Sequence, residues 1–472
     1  MLKNLALYVV GTSVISLVTI SLLGISRYFQ SRGLNETIPL SQEDHPVVGK
    51  TFLLMKTGID VAFKRIPPHI DTTFQNFPHH AVYADSDDTI DGIPMIDCLK
   101  YLDNEILNDP STKAYRLRRQ STRERWNWGD AKLQIPEDPK AAWSLDRYKN
   151  LPAFAHAWVH NPKFDWYVMV DADTFLMPST LEAAVSGRNP NEALYLGRAV
   201  GMNPEFAHGG SSIVFSRKAM ELMYGKSAKS ADERIRKGGE AARRECCGDS
   251  LMSRMYIDGT GRSESETLDR KSHPYGNFQG GSIATQFAHF DEWCNALGSF
   301  HKLGAWEIEV LYNWQQRMGS SPTYADFYHD FIMPNIAEEK VNWAIAAPEY
   351  FSHKRFNENT EEAHKKDSCK KACENEDKCT MWTFWCNKEC YIFYSAVAAG
   401  SAMNKYNPVW KDEWTEVTSG YMIDRIADAR RSKNCNPPST QEEGWRYRDP
   451  TSPGEIALES VKIRTNTTNN IF

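Results

Sequence analysis

The 472-residue sequence contains no long basic run, and its 55 Lys and Arg against 61 Asp and Glu leave a net charge of −6. Nucleic-acid binding needs a basic patch or stripe, so that class of partner is set aside. No internal repeat is found, which removes solenoids and other arrays. The cysteines form no C-x2-C pair, the knuckle of common structural zinc sites. A further absence is local: no charged residue stands between Lys3 and Arg27.

Residues 4 to 26, "NLALYVVGTSVISLVTISLLGIS", therefore match the ~20 apolar residues that cross a bilayer. A cleaved signal peptide has a shorter apolar region and ends in small residues of A-x-A type. No such site is seen, so an uncleaved membrane anchor is expected, with residues 1–3 as a cytosolic tail and 27–47 as a lumenal stem. Ten cysteines are present, five of them in "CKKACENEDKCTMWTFWCNKEC" at 369–390, with Cys435 downstream. That density suits disulfides among Cys369, Cys373, Cys379, Cys386, Cys390 and Cys435 in an oxidising compartment. Two N-x-T sequons, at Asn35 and Asn466, lie in polar flanks. Together these features predict a single-pass type II protein of the Golgi or endoplasmic reticulum membrane, with its bulk in the lumen.

What fills the rest is ordinary in composition, 41% hydrophobic and 25% charged, and long enough for two or three domains. Short apolar runs such as "TFLLMKTGID" (51–60), "HHAVYADSDD" (79–88), "WYVMV" and "ALYLG" (193–197) alternate with helical stretches. The helical stretches include one at Pro178 to Ser186. Such alternation predicts an α/β domain with a mainly parallel sheet over 48–350. Residues 226–244 read as a solvated helix or loop, 351–368 as a linker, 369–435 as a cysteine-rich module, and 436–472 as an irregular tail.

One stretch raises a chemical question. "DWYVMVDADTFLMP" (165–178) ends a buried strand in two carboxylates, Asp171 and Asp173. A plain turn is one reading. A phosphorylated aspartate of the D-x-D-x-T type is a second, but the hydroxyl position holds Phe175 and the threonine comes one residue early, at Thr174. The third is a divalent-metal site at the carboxyl edge of an open sheet, where hard oxygen ligands hold Mg²⁺ or Mn²⁺ and a diphosphate. In "LGSFHKL", His301 ends an apolar approach and is a candidate third ligand. Asp249, in "CCGDSLMSRMYI", is a candidate base that also reads as a helix N-cap. Gly209 and Gly210, in "FAHGGSS", suggest a close backbone approach, to a ligand or within a turn.

The segments "LLMKTG", "VYADSDD", "WSLDRYKNLP", "DWYVMVDADTF", "YLG", "FAHGGSSIVFSRKAM", "CCGDSLMSRM" and "EWCNALGSFHKL" occur in an order that resembles the fringe-like and core 1 β-1,3-galactosyltransferase-like proteins of glycosyltransferase family 31, in particular their fungal branch. The likeness covers roughly residues 48–320. The cysteine cluster, followed by "VTSGYMIDRIAD", resembles a PAN or apple-type segment. The resemblance implies a GT-A fold and an inverting, Mn²⁺-dependent transfer of a hexose, of galactose or N-acetylhexosamine type, from a UDP-sugar to a hydroxyl of a glycan or glycoprotein, forming a β-1,3 linkage. It implies Asp173 as the main metal ligand, Asp171 near metal and ribose, His301 as a further ligand, Asp249 as general base, and Lys56 and Asp85 near the nucleotide. Where some relatives carry a second histidine, this chain has Lys302. The competing expectation is a catalytically inactive GT-A-like protein that binds carbohydrate or serves adhesion.

Overall fold

A computed structural model describes residues 46–124, 145–201, 204–264, 267–268, 278, 280–318, 322–345, 354–355, 366–385, 390–402 and 417–433. The expected anchor at 4–26, both sequons, Cys386, Cys435 and the tail 436–472 lie outside the described residues, as does the stem up to residue 45. Among the described residues no helix is long and apolar enough to cross a membrane.

The apolar runs become strands of a seven-stranded sheet: β1 (Thr51–Lys56), β2 (His80–Ala84), β3 (Asp88–Ile90), β4 (Ile93–Asp97), β5 (Trp166–Asp171), β6 (Tyr195–Leu196) and β7 (Ile213–Ser216). Their spatial order is β3-β4-β2-β1-β5-β7-β6. The run β4-β2-β1-β5 is parallel throughout, while β3 pairs antiparallel with β4 on one flank and β7 pairs antiparallel with both β5 and β6 on the other. All six β1 residues are buried, as a parallel strand covered on both faces requires. Phe52, Leu54 and Tyr167 pack under one face with Phe154 of the helix Asn150–His160, and Leu53, Val82 and Val168 pack under the other.

Because four neighbouring strands run the same way, their carboxyl ends share one edge. The register sets Lys56, the last residue of β1, opposite Asp171, the last of β5. Asp85 follows β2 directly. The α/β class with a mainly parallel sheet is thus as expected, and the helix anticipated at 178–186 spans Pro178–Val185 with proline at its first turn.

Residues 226–244 depart from a fully solvated segment. They form the helix Ala228–Ala242, whose Ala231, Ile235, Gly238, Gly239 and Ala242 are buried. A Cβ on Gly238 would stand 2.1 Å from Leu151 Cδ2, so the glycine lets this helix lie against Asn150–His160. Its charges occupy only the outer face.

The cysteine-rich segment forms a second, five-stranded sheet ordered 340–341, 417–421, 379–385, 390–394, 354–355. Its outer strands, Lys340–Val341 and Lys354–Arg355, come from before the cysteines. Cys369–Cys390 and Cys373–Cys379 are disulfides, and Cys294, outside the cluster, is disulfide-bonded as well. The segment does not rely on disulfides alone. Trp385, Tyr391 and Tyr421 share one apolar core with Phe300, Trp314 and Trp343 of the preceding region.

Candidate functional site

The edge of the parallel sheet becomes a site because three loops return to it. After β5 the chain turns tightly, with Thr174 N donating to Asp171 O at 2.9 Å. Phe175–Leu176 then pairs antiparallel with Ser299–Phe300, which carries His301 to the turn. Leu303 N donates to Asp173 O at 3.0 Å and fixes that return. Ligand atoms of Asp171, Asp173 and His301 consequently lie within 4.8 Å of one another.

The side chains here are short of hydrogen-bond partners in the way a cation site is. His301 Nε2 stands 3.3 Å from Asp173 Oδ1 and 3.9 Å from Asp171 Oδ2. Lys56 Nζ stands 3.1 Å from Asp171 Oδ1. These contacts are out of hydrogen-bond alignment, and Asp171 Oδ1, Asp173 Oδ1 and His301 Nδ1 are buried with no hydrogen-bond partner. A buried polar atom without a hydrogen bond costs ~1–3 kcal/mol; the Lys56 charge offsets part of that at Asp171 Oδ1, and a divalent ion taking lone pairs from the carboxylate oxygens would relieve the rest. Burial pushes the Asp173 carboxyl up, but the His301 ring and Arg65 outweigh it and hold the group below the usual range. Arg65, at the end of the helix Ile59–Arg65, reaches Asp173 Oδ2 at 2.9 Å.

Behind the carboxylates lies a ladder of alternating charge, buried at Lys56, Lys149 and Asp85 and half-buried at Asp146. Lys56 Nζ donates to Asp146 Oδ2 at 2.6 Å, and Lys149 Nζ stands 3.2 Å from Asp146 Oδ1 and 3.6 Å from Asp85 Oδ1. Asp85 Oδ1 also accepts from Ile59 N at 2.9 Å. Burial alone would lower the Lys56 ammonium, yet Asp146, Asp171 and Asp249 together raise it well above its ordinary value. Lys56 is therefore a fixed positive charge beneath the site.

Asp249 sits in the first turn of the helix Gly248–Thr260, but the N-cap position belongs to Cys247. The Asp249 carboxylate does not cap its own helix. It accepts from Gly209 N at 2.7 Å and from Asn150 Nδ2 at 3.1 Å. Burial is the chief reason that its carboxyl is raised above the usual aspartate range, Lys56 opposing and Asp171 reinforcing the shift.

The glycine pair explains how two loops fit together. A Cβ on Gly209 would meet Asp249 Oδ1 at 2.5 Å, and one on Gly210 would meet the His301 ring at 2.2 Å. Their close approach is to the two candidate site side chains. Thr174 Oγ1 donates to Gly210 O at 3.0 Å, tying this 3₁₀ turn to the Asp171–Asp173 turn. Ser212, just past the turn, adopts φ 91°. His208 packs edge-on against His301, ring centroids 5.6 Å apart, and burial lowers its pKa to about 3, so it is a neutral neighbour.

The structure thus brings together Asp171, Asp173, His301, Lys56, Asp249, Gly209 and Gly210, with Asp85 one step behind in the charge ladder. Sequence reasoning missed Asp146, Lys149, Asn150 and Arg65. The first three lie in "WSLDRYKNLP", where an Asp and a Lys three apart precede a helix start. That charge pair inside an apolar context was the available signal. Arg65 carries none, because a lysine or arginine ending an exposed helix is commonplace.

No family model matches the chain, and no curated protein is recognisably similar to it.

Proposed function

We propose that the protein is a metal-dependent glycosyltransferase of GT-A type that moves a hexose from a UDP-sugar to a hydroxyl of a glycan or glycoprotein, with inversion and a β-1,3 linkage. The observation that supports this reading most is the meeting of Asp171, Asp173 and His301 at the carboxyl edge of a parallel sheet, with a raised carboxyl, Asp249, beside them in the first turn of the helix Gly248–Thr260.

Two carboxylates and one imidazole fit a divalent cation of intermediate hardness, and Mn²⁺ suits the mixed set better than Ca²⁺, which takes oxygen ligands. When bound, Mn²⁺ would supply charge neutralisation of the leaving diphosphate. Asp173 and His301 would hold it, with Asp171 completing the set. Lys56, which cannot readily lose its proton in this setting, adds a fixed positive charge where negative charge develops. Arg65 is exposed enough to turn from Asp173 toward a phosphate, and a guanidinium matches phosphate oxygens. Asp249 would accept the acceptor hydroxyl's proton. Gly209 N and Asn150 orient the carboxylate for that task, and its raised pKa makes it a stronger base than an ordinary aspartate.

The membrane anchor and the Golgi or endoplasmic reticulum location belong to the same reading, since the apolar stretch at 4–26 and the disulfides both suit a lumenal enzyme. The test is to offer the purified full-length chain a panel of UDP-sugars with Mn²⁺ and hydroxyl acceptors. Transfer from one donor, abolished by chelation, is expected. Binding of a glycan with no turnover of any donor would favour the inactive alternative.

A further inference from the structure

Among the described residues three cysteines stand outside the disulfides: Cys98, fully buried, and the neighbours Cys246 and Cys247. Cys246 is exposed, Cys247 is half-buried, and their sulfurs lie 2.7 Å apart. Unbonded heavy atoms settle at roughly 3.5–4 Å, and a disulfide at about 2.05 Å. The pair is therefore pressed well inside contact distance. We infer that Cys246 and Cys247 close a vicinal disulfide, a reversible redox-modification site on the turn that presents Asp249.

Two observations besides the contact point the same way. The chain already carries Cys369–Cys390 and Cys373–Cys379 as disulfides, which form and persist where thiols are oxidised. An exposed adjacent dithiol meets the same oxidants. The turn is also held on both sides: Glu245 accepts from Ser250 Oγ and from Arg254 Nε, while Gly248 leaves room for Asn150, which would lie 2.8 Å from a Cβ there. The chain on either side of the two cysteines is thus anchored.

The chemistry balances as thiol–disulfide exchange. The Cys246 thiolate attacks a disulfide of the oxidised-glutathione or dithiol-oxidoreductase class, and one thiolate leaves. The Cys247 thiolate then attacks the Cys246 sulfur and expels the second. One S–S bond forms and one breaks, two protons leave Cys246 and Cys247, and the oxidant takes two electrons. Burial and the contact with Cys246 push the Cys247 thiol up to about 12, which leaves the first attack to the exposed partner. The product is an eight-membered ring. Neighbouring Cα atoms lie ~3.8 Å apart across a trans peptide, below the usual ~4.4–6.8 Å of a disulfide. The Cα separations in Cys369–Cys390 and Cys373–Cys379 are 5.5 and 5.3 Å. Ring closure therefore costs geometry that those two bridges do not, and the vicinal bond is the more easily reduced.

This inference stands apart from the transferase reading. The full-length chain, purified without reductant, is denatured in N-ethylmaleimide, digested and analysed by mass spectrometry. The peptide containing Cys246 and Cys247 should be unlabelled and lighter than the dithiol by two hydrogens. Both sulfurs should take label after dithiothreitol treatment at about tenfold lower concentration than Cys369–Cys390 requires. Two labels before any reduction would overturn the inference, as would either sulfur bonded to another cysteine or to a small thiol. In Cys247→Ser, Cys246 should become labelled without reductant; Cys246 still unlabelled in that variant would equally contradict the ring.

Discussion

At the carboxyl edge of the seven-stranded sheet Lys56, Asp85, Asp146, Lys149 and Asp171 are gathered within ion-pair distance, whereas the five-stranded sheet buries Trp382, Trp385 and Ile392, with Thr380, Thr383 and Ser419 as its buried polar residues. The first arrangement is expensive. Charges brought out of water must be repaid by partners, and removing one partner from such a set typically costs ~3–5 kcal/mol. The second gains by apolar burial and cross-linking. Under the proposed function the costlier arrangement is held for chemistry, and the cheaper one for stability. Substitutions in the two sheets should therefore fail in different ways.

The largest effect is expected at the metal ligands. Asp173→Ala should bring transfer to background at any Mn²⁺ concentration, and it should also lower the thermal transition at neutral pH, since the His301 ring and Arg65 outweigh burial and hold that carboxylate below its usual range. Asp249→Asn should come next, lowering transfer by roughly 10²–10⁴ fold with UDP affinity kept. The amide oxygen can still accept from Gly209 N, so the loop survives. Asp249 must be deprotonated to act, and its pKa is raised. Transfer by the native chain should consequently fall off on the acid side at a pH above the ordinary aspartate range, and a pH–rate profile of Asp249→Asn should lack that limb.

The glycines divide the site into its two halves. Gly210→Ala forces the His301 ring aside and should weaken Mn²⁺ binding, whereas Gly209→Ala displaces Asp249 and should cost about 10²-fold in transfer with Mn²⁺ affinity intact. Equal loss of metal by both would merge the halves.

In the other region the readout changes to stability. Trp343 is buried against Ala399, whose carbonyl accepts from its Nε1 at 3.2 Å. Trp343→Ala should lower stability by ~3–5 kcal/mol in a single unfolding transition that includes both sheets. Replacing Cys369 and Cys390 together by serine should remove a smaller ~2–4 kcal/mol. Neither should alter Mn²⁺ affinity in the folded protein, as denaturant titration paired with metal titration would report.

The same contrast governs how much was readable beforehand. Periodic apolar runs such as "TFLLMK" and "WYVMV" announced the parallel strands, because burial on both faces leaves no other pattern. Asp171, Asp173 and His301 were legible for a related reason: each ends a strand-like approach. Asp146 and Lys149 were not, since a charge pair buried by tertiary packing resembles a surface pair in sequence. Asp249 was found but its local role was misread as a cap, because helix spacing marks the helix start without saying which way a carboxylate turns. Nor did the cysteine pattern reveal that Trp385 and Tyr421 share a core with Trp314, a contact made across a long stretch of chain.

The central claim is that Asp171, Asp173 and His301 form a metal centre serving a nucleotide diphosphate. Titration of the metal-free full-length chain with Mn²⁺, followed by electron paramagnetic resonance, with UDP then added to the loaded protein, tests it most directly. One bound Mn²⁺ per chain, lost in Asp173→Ala and retained in Asp249→Asn, with UDP binding only when the metal is present, is the predicted result. Unchanged Mn²⁺ stoichiometry in Asp173→Ala, or UDP binding that ignores the metal, would contradict it.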